Sequence, residues 1–395
     1  MTNDRDSSDS ARRRAILVAL ERWLWSGEVV PRCDVETVAS AVAELSDLYT
    51  IERGLIARRQ GEREHLVAKL LYFLASDAPK VGLVLEECAL RDAAFRAPRT
   101  IVDLGCGVGA TSAGFLCWLA GRERPAATIE IVGVDRSPSV LDNWRTVVAK
   151  AAALAGVDVR LETRCAELAQ AEFRTAPDLL LCQSALNESL GQPRGGETSH
   201  SEATIAMLGR WATTAPLVVI EPGLRVTSRG LHAARDRLLA RGDVRVVAPC
   251  PHGSPCPMLA RADDWCHESR RVEPTPMVAA VQALTRRRDE RAIFSFIAFA
   301  PSRSREPTAA SSCRVVSDPL GSRGKTERWV CSGDGTLRCL RVLDRERTEA
   351  NETLVDCERG TLVQIDPMPA NGRVGGEVRV VRAASDISQS RDHTV

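Results

Sequence analysis

Apolar residues recur at three- and four-residue intervals through the first part of the chain. ARRRAILVALERWLW (11–25), VETVASAVAELSDLYTIERGLIARR (35–59) and HLVAKLLYFLA (65–75) each carry an apolar stripe beside a polar face. That period predicts amphipathic helices, so residues 1–95 are expected to form a helical N-terminal region. At residue 99 the period changes. RTIVDLGCGVGATSAGFLCWLAG (99–121) is an apolar run, a glycine-rich turn and then a helix-period segment. TIEIVGVDRS (128–137), VDVRLETRC (157–165), APDLLLCQSAL (176–186) and APLVVIEPG (215–223) are further short apolar runs. SVLDNWRTVVAKAAALAG (139–156) and LHAARDRLLARG (231–242) have helical spacing. Strands alternating with helices predict a doubly wound parallel sheet over 96–248.

From 249 the alternation stops. APCPHGSPCPMLARADDWCH (248–267) contains Pro249, Pro251, Pro255 and Pro257, which fix φ and remove backbone donors, so an irregular loop is expected. Residues 277–291 read as a helix. AIFSFIAFA, RVVSDPL, ERWVCSG and TLRCLRVLD read as short strands of a small β-rich module over 249–347. TLVQIDP and EVRVVRA continue the pattern into a C-terminal extension, 348–395, whose polar end ASDISQSRDHTV is expected to be disordered.

Composition narrows the class. The chain has 395 residues, 44% hydrophobic and 27% charged, as globular proteins do. No apolar run reaches the length of a membrane span, and MTNDRDSSDSARRR lacks the apolar core of a secretory signal. A cytoplasmic protein with no membrane partner is expected. Thirteen cysteines in such a chain imply mostly buried thiols, as Cys106, Cys117 and Cys182 in apolar surroundings suggest. A net charge of +1 argues against a general nucleic-acid binder. Residues 286–347 nevertheless hold 14 Lys and Arg against 8 Asp and Glu, a local net of +6. That segment reads equally as a solvated face or an RNA surface. Only 4% of residues are aromatic, so phosphate and shape recognition is favoured over base stacking.

Asp103-Leu104-Gly105-Cys106-Gly107-Val108-Gly109 follows a strand and opens a helix. Glycines let a ligand approach the backbone, and the helix N-terminus offers free N–H groups. The next strand ends in Asp135, a carboxylate placed to accept from both ribose hydroxyls. Together these resemble the cofactor motifs of class I methyltransferases, which bind S-adenosylmethionine (SAM). By that resemblance Asp103 orients the methionine amino group, Gly105 and Gly107 line the methionyl and ribose side, and Asp135 binds the ribose. Cys106, Gly109 and Asn187 complete the candidate cofactor set. The position that reads adenine in such enzymes is Cys165, a departure from their acidic residue. Gln183-Ser184-Ala185-Leu186-Asn187-Glu188 follows the fourth strand and contains no identifiable base or nucleophile. Methyl transfer to a good nucleophile needs only positioning.

Cys250, Cys256 and Cys266 share the proline-rich loop with His252 and His267. A closed site needs a fourth ligand, and the residues leave it open among those histidines, Cys331, Cys313, Cys339 and Cys357. Four thiolates suit a cubane cluster; mixed Cys and His suit zinc. The run IEPG, a helix with AARDRLL, APCPHGSPCPM, DWCHESRRV, FSFIAFAPS and RVVSDPLGSRGKTERWVCSGDGTL resembles a known family over residues 95–345. It is that of the methyltransferase-like proteins associated with the small ribosomal subunit, which includes mitochondrial ribosome-assembly factors and bacterial relatives. The resemblance implies an α/β fold: a Rossmann-like class I methyltransferase domain with a helical N-terminal region and a small, cysteine-liganded β-rich module. It implies a [4Fe–4S] cluster on Cys250, Cys256, Cys266 and Cys331, with zinc as the alternative. It also implies binding to small-subunit rRNA or an assembly intermediate, with SAM-dependent rRNA methylation as the activity. Arg270, Arg271, Arg323, Lys325 and Arg328 are the expected RNA-facing cations. Two other functions stay open: a non-catalytic assembly factor, and a small-molecule methyltransferase with a zinc-stapled tail.

Overall fold

The structure, a computed structural model, describes residues 3–50, 63–122, 128–173, 175–186, 190, 199–285, 291–302 and 311–382. Helices α1 (Asn3–Leu24) and α2 (Val35–Thr50) come first. A longer helical run follows: α3 (Arg63–Ala68), a π turn (Lys69–Phe73) and α4 (Leu74–Arg91). The alternating part supplies β1 (Thr100–Leu104), α5 (Ala110–Ala120), β2 (Ile129–Asp135), α6 (Pro138–Ala155), β3 (Val159–Cys165) and β4 (Leu179–Gln183). It continues through α7 (Ser199–Thr214), β5 (Leu217–Pro222), α8 (Arg225–Leu239) and β6 (Val244–Ala248). The remaining elements are β7 (Glu268–Arg271), α9 (Pro276–Thr285), β8 (Arg291–Pro301), β9 (Ser312–Val315), β10 (Leu320–Ser322), β11 (Lys325–Ser332), β12 (Leu337–Leu343), α10 (Glu349–Asp356), β13 (Leu362–Ile365) and β14 (Val378–Arg382).

Among the described residues, the large sheet runs β3-β2-β1-β4-β5-β8-β6, with β7 on β8. Strands β1 to β5 are parallel, whereas β8 is antiparallel to both β5 and β6. This is a Rossmann-like α/β sheet. Successive strand residues face opposite sides, and the two cores follow that alternation. Ile101, Ile131, Leu179, Leu181, Phe294 and Phe296 face the layer of α1, α2, α4, α5 and α6. Val102, Val132, Leu180, Cys182, Ile297 and Phe299 face α7 and α8. A second sheet, β10-β11-β9-β13-β14 with β12 on β11, has its own smaller core around Val315, Val330, Leu340 and Val363.

The boundaries expected at 249 and 348 do not follow the sheets. Strands β7 and β8, expected in the small module, belong to the large sheet. Phe294–Ala300 is buried throughout, so this strand needs covering layers on both faces, and only the large sheet has them. Strands β13 and β14, expected in a separate extension, complete the second sheet. The expected helix over 35–59 is described only to Thr50, and the expected disordered tail, 384–395, lies wholly outside the described residues.

Candidate functional site

Strand order reverses between β1 and β4, which opens a crevice at the carboxyl ends of the parallel strands. The glycine turn occupies it. Gly105, Gly107 and Gly109 have φ of 69°, 50° and 102°, the left-handed region that glycine enters without strain. The N–H groups of Gly105 and Cys106 both donate to Val134 O, at 2.9 and 3.0 Å, tying the turn to β2. Asp135 accepts from Gly107 N at 3.1 Å and from Ser137 N at 3.0 Å. A Cβ on Gly105 would lie 2.5 Å from that of Ala185, so the turn rests directly against the segment after β4.

Asp103 sits beneath this turn, fully buried. Its Oδ2 accepts from Ser112 N at 3.1 Å and Ser112 Oγ at 2.5 Å. Trp144 Nε1 donates to the same hydroxyl at 3.1 Å. Asp103 Oδ1 is buried without a hydrogen-bond partner. Burial pushes the carboxyl up to about 7, although the Ser112 hydrogen bonds oppose the shift. Cys106 serves the turn through its backbone: its N–H donates to Val134 O and its carbonyl accepts from Gly109 N, each at 3.0 Å. Its side chain is buried, and burial followed by the nearby charges of Asp103 and Asp135 holds the thiol protonated. Cys165 is exposed at the end of β3, beside Asp135 in register, and its thiol donates to Arg136 O at 3.4 Å. Asn187 lies outside the described residues, as does Glu188. Sequence reasoning missed Ser184, whose φ of 54° is the one left-handed non-glycine among the described residues. It also missed the role of Gln183, which accepts from Thr111 Oγ1 at 3.3 Å and donates to Asp77 O at 3.0 Å. The run Gln183–Ser184 ends an apolar strand, and that was its only signal in the sequence.

The cysteine loop runs from β6 to β7, and the fold brings Cys331 of β11 to it. Cys250, Cys256 and Cys331 are buried and Cys266 is half-buried. Burial pushes the Cys256 thiol up to about 12, with Cys250 adding to the shift. Burial pushes Cys266 and Cys331 up further; Cys256 and Cys250 add to the shift at Cys266, and Cys250, Cys266 and Cys256 add to it at Cys331. The four groups therefore share one electrostatic neighbourhood. Among the described residues, no three His, Cys, Asp or Glu side chains are arranged to hold a metal ion. His252 is a neighbour of the thiols: its Nε2 lies 3.1 Å from Cys331 Sγ, and its Nδ1 lies 3.1 Å from Ser254 O. Cys313 belongs to the core of the second sheet and Cys357 packs against it.

Arginines hold the loop by its carbonyls. Arg235 donates to His252 O at 2.7 Å and Ser254 O at 2.6 Å. Arg91 donates to Val247 O and Pro249 O at 3.2 Å and to Cys250 O at 3.3 Å. Asp236 accepts from Cys256 N at 2.8 Å. Two of the cations expected to face RNA are instead buried. Arg270 pairs with Glu268 at 2.7 Å, and Arg328 donates to the carbonyls of Leu354, Ser317, Val355 and Cys357. A guanidinium taken out of water must be paired or hydrogen-bonded: Arg328 is satisfied by those carbonyls, whereas Arg270 is ion-paired but keeps its buried Nη1 without a hydrogen bond. Arg271 and Arg323 are exposed, and Lys325 pairs with Glu327 at 2.7 Å.

No curated protein matches the chain. Among solved structures, it is similar to the plantazolicin methyltransferase BpumL in complex with SAH, at 11% identity, covering 68% of this chain and 98% of that one, with a TM-score of 0.33. It is similar to the methyltransferase domain of bacterial CtHen1-C, at 11% identity, covering 58% and 100%, with a TM-score of 0.34. A SAM-dependent methyltransferase from Clostridium acetobutylicum matches at 14% identity over 40% of this chain, with a TM-score of 0.27. The chain spans only 55% of that enzyme's length. These likenesses are too remote to bear on function. The family match is extensive: residues 63–353 fit the family described as mitochondrial small ribosomal subunit Rsm22. That span takes in α3 to α5, the glycine turn, the whole large sheet, the cysteine loop and Cys331, and the chain belongs to the Rsm22 family.

Proposed function

We propose that this chain is a SAM-binding, methyltransferase-like protein that acts on, or accompanies, rRNA during assembly of the small ribosomal subunit. The observation that carries the cofactor reading is the crevice itself. A left-handed glycine turn lies at the strand-order switch, with the Asp103 carboxyl oxygen beneath it left without a partner. A buried polar atom lacking a partner is costly unless a ligand or water completes it. Asp135 holds the turn's N–H and ends β2 where a ribose would lie. SAM supplies an electrophilic methyl group when bound. The protein's part is to hold its donor and acceptor in line, which Gln183 assists by tying the end of β4 to α5 and α4 through Thr111 and Asp77.

The ribosomal context is supported by the family match over 63–353. The [4Fe–4S] assignment is supported by the donor set. Cys250, Cys256, Cys266 and Cys331 come from one loop and one distant strand, and the thiols of Cys256, Cys266 and Cys331 are each pushed up by burial and then by neighbours among the four. Four thiolates are the ligand set of a [4Fe–4S] cubane. The cluster would link the loop of the large sheet to β11 of the second, and its binding energy would become folding energy. One observation favours the non-catalytic alternative. At the crevice mouth, the buried Glu221 is already engaged, accepting from Leu186 N at 2.9 Å.

Anaerobic purification with iron, sulfide and zinc analysis tests the cluster. Four irons and four sulfides, lost in Cys331→Ser, are expected; zinc at one equivalent would overturn it. Calorimetric titration with SAM tests the crevice, with Asp135→Ala expected to weaken binding. Transfer of labelled methyl from SAM to immature small subunits separates enzyme from assembly factor.

A further inference from the structure

A cavity of about 290 Å³ lies under the N-terminal helices. Its walls are α1, the π turn and the start of α4 on one side, and the β7–α9 segment with the start of β8 on the other. The charged lining is mostly cationic: Arg13, Arg14, Lys80, Arg271 and Arg291 stand against Asp77 and Glu273. Each cation has a local contact. Arg13 meets Glu86 at 3.2 Å, Arg14 meets Glu273 at 2.6 Å, Lys80 meets Asp77 at 2.5 Å, Arg271 meets Glu358 at 3.4 Å, and Arg291 donates to Ser269 at 2.7 Å. An arginine carries five N–H donors and a lysine three, so these contacts leave donors unspent. The Nε atoms of Arg13 and Arg14 are buried with no partner. Such a lining is built for an anion.

A second observation concerns the helix that forms one wall. The run Arg63–Arg91 departs from regular α-helix twice, and both departures line the cavity. The π turn contributes Tyr72 and Phe73. Pro79, inside α4, has no N–H to donate to Ala75 O one turn earlier, and both residues line the wall. Irregularities of this kind are disfavoured in a plain structural helix and are frequent at functional sites. The position also fits. Phe294 of β8 pairs with Pro222 at the end of β5, so Ala292 and Ile293 lie at the carboxyl edge of the parallel strands. Gln183, at the end of β4, donates to Asp77 O. Asp77, which lines the cavity, is therefore tied through its carbonyl to the end of β4 beside the glycine crevice.

We propose that this cavity is a nucleotide-phosphate site, with Arg14 and Lys80 as its principal ligands. Its volume is at the lower end of small-ligand pockets, roughly 300–1,000 Å³. It admits one nucleotide unit, either from an RNA strand or as a free mononucleotide. Only the identification of that strand as small-subunit rRNA rests on the function proposed above.

The test titrates AMP, and separately adenosine, into the full-length protein saturated with SAM. AMP is expected to bind, and adenosine to bind about tenfold more weakly. Arg14→Gln and Lys80→Gln are each expected to weaken AMP binding by about tenfold to a hundredfold, the loss of one charge-assisted hydrogen bond, with SAM affinity and thermal midpoint unchanged. Equal binding of adenosine, displacement of AMP by SAM, or AMP binding that neither substitution alters would overturn the site. A short single-stranded oligoribonucleotide that competes with AMP assigns the phosphate to RNA, and failure to compete leaves the free mononucleotide as ligand. If the protein does not bind SAM, the crevice reading fails while the Arg14 dependence of AMP binding still decides this one.

Discussion

Replacing Arg314 with methionine removes the centre of a buried charge network that joins the two sheets. Arg314, on β9, is 2% exposed in its side chain. It donates to Glu87 Oε1 at 2.6 Å and Oε2 at 3.1 Å, to Glu268 Oε1 at 2.8 and 3.2 Å, and to Pro249 O at 3.2 Å. One side chain thus ties β9 to α4, to β7 and to the cysteine loop. Breaking a buried ion pair by removing one partner costs about 3–5 kcal/mol. The lower end applies, because Glu87 keeps Arg91 at 2.7 Å and Glu268 keeps Arg270 at 2.7 Å. Arg314→Met is therefore expected to cost about 3 kcal/mol. Arg225→Met is the control, since its pair with Asp263 is 52% and 90% exposed and should contribute at most about 1 kcal/mol. Arg314→Lys should lie between them, because one ammonium cannot match two carboxylates and a carbonyl. Urea denaturation of the three full-length variants measures this. An Arg314→Met midpoint equivalent to less than about 1 kcal/mol of change would refute the reasoning.

The same network sets a pH dependence. Burial would raise Glu87, but Arg314 and Arg91 outweigh it and hold the carboxyl far below its ordinary 4.5. A depressed folded pKa contributes stability above the unfolded value that is lost as pH falls through the folded one. Acid should therefore loosen the junction of the two sheets, and Arg314→Met should flatten that loss.

Further outcomes follow from other sites. Asp103 has the opposite sign: its folded pKa, about 7, lies above its ordinary 3.8, so ionisation costs stability as pH rises between those values. Asp103→Asn, nearly isosteric, should raise the thermal midpoint of the SAM-free protein at pH 8 while weakening SAM binding; a lower midpoint would show that the charge is not penalised. Gly105→Ala forces a Cβ into a left-handed residue and against Ala185. It should cost about 1–3 kcal/mol in a denaturation curve, together with SAM affinity. Arg328→Ala strips the donor from four carbonyls and should cost about 2–4 kcal/mol, whereas Arg323→Ala, on the exposed β10–β11 turn, should lie within about 0.5 kcal/mol of the parent.

What could be read from the chain divides along a physical line. Local periodicity and turn chemistry carried the N-terminal helices, the order β1 to β5 and the glycine turn, because each is specified within about 20 residues of itself. The insertion of β8 between β5 and β6 is not local. AIFSFIAFA is apolar at nearly every position, which marks a strand covered on both faces, but its neighbours, Leu217–Pro222 and Val244–Ala248, come from far earlier in the chain. Charge was harder still. Arg270 and Arg328 looked like surface cations because a sequence shows residues next to one another, not the Glu87 that Arg270 approaches at 3.5 Å from the N-terminal helices. The cysteine loop escaped this limit only in part. Its prolines and clustered thiols signalled an unusual loop, yet the arginines that hold its carbonyls, Arg91 and Arg235, lie on helices outside it. In this protein the cysteine loop is positioned by guanidinium groups from elsewhere in the fold. A substitution at Arg91, Arg235 or Arg314 should therefore disturb the cysteine site as surely as one at the cysteines themselves.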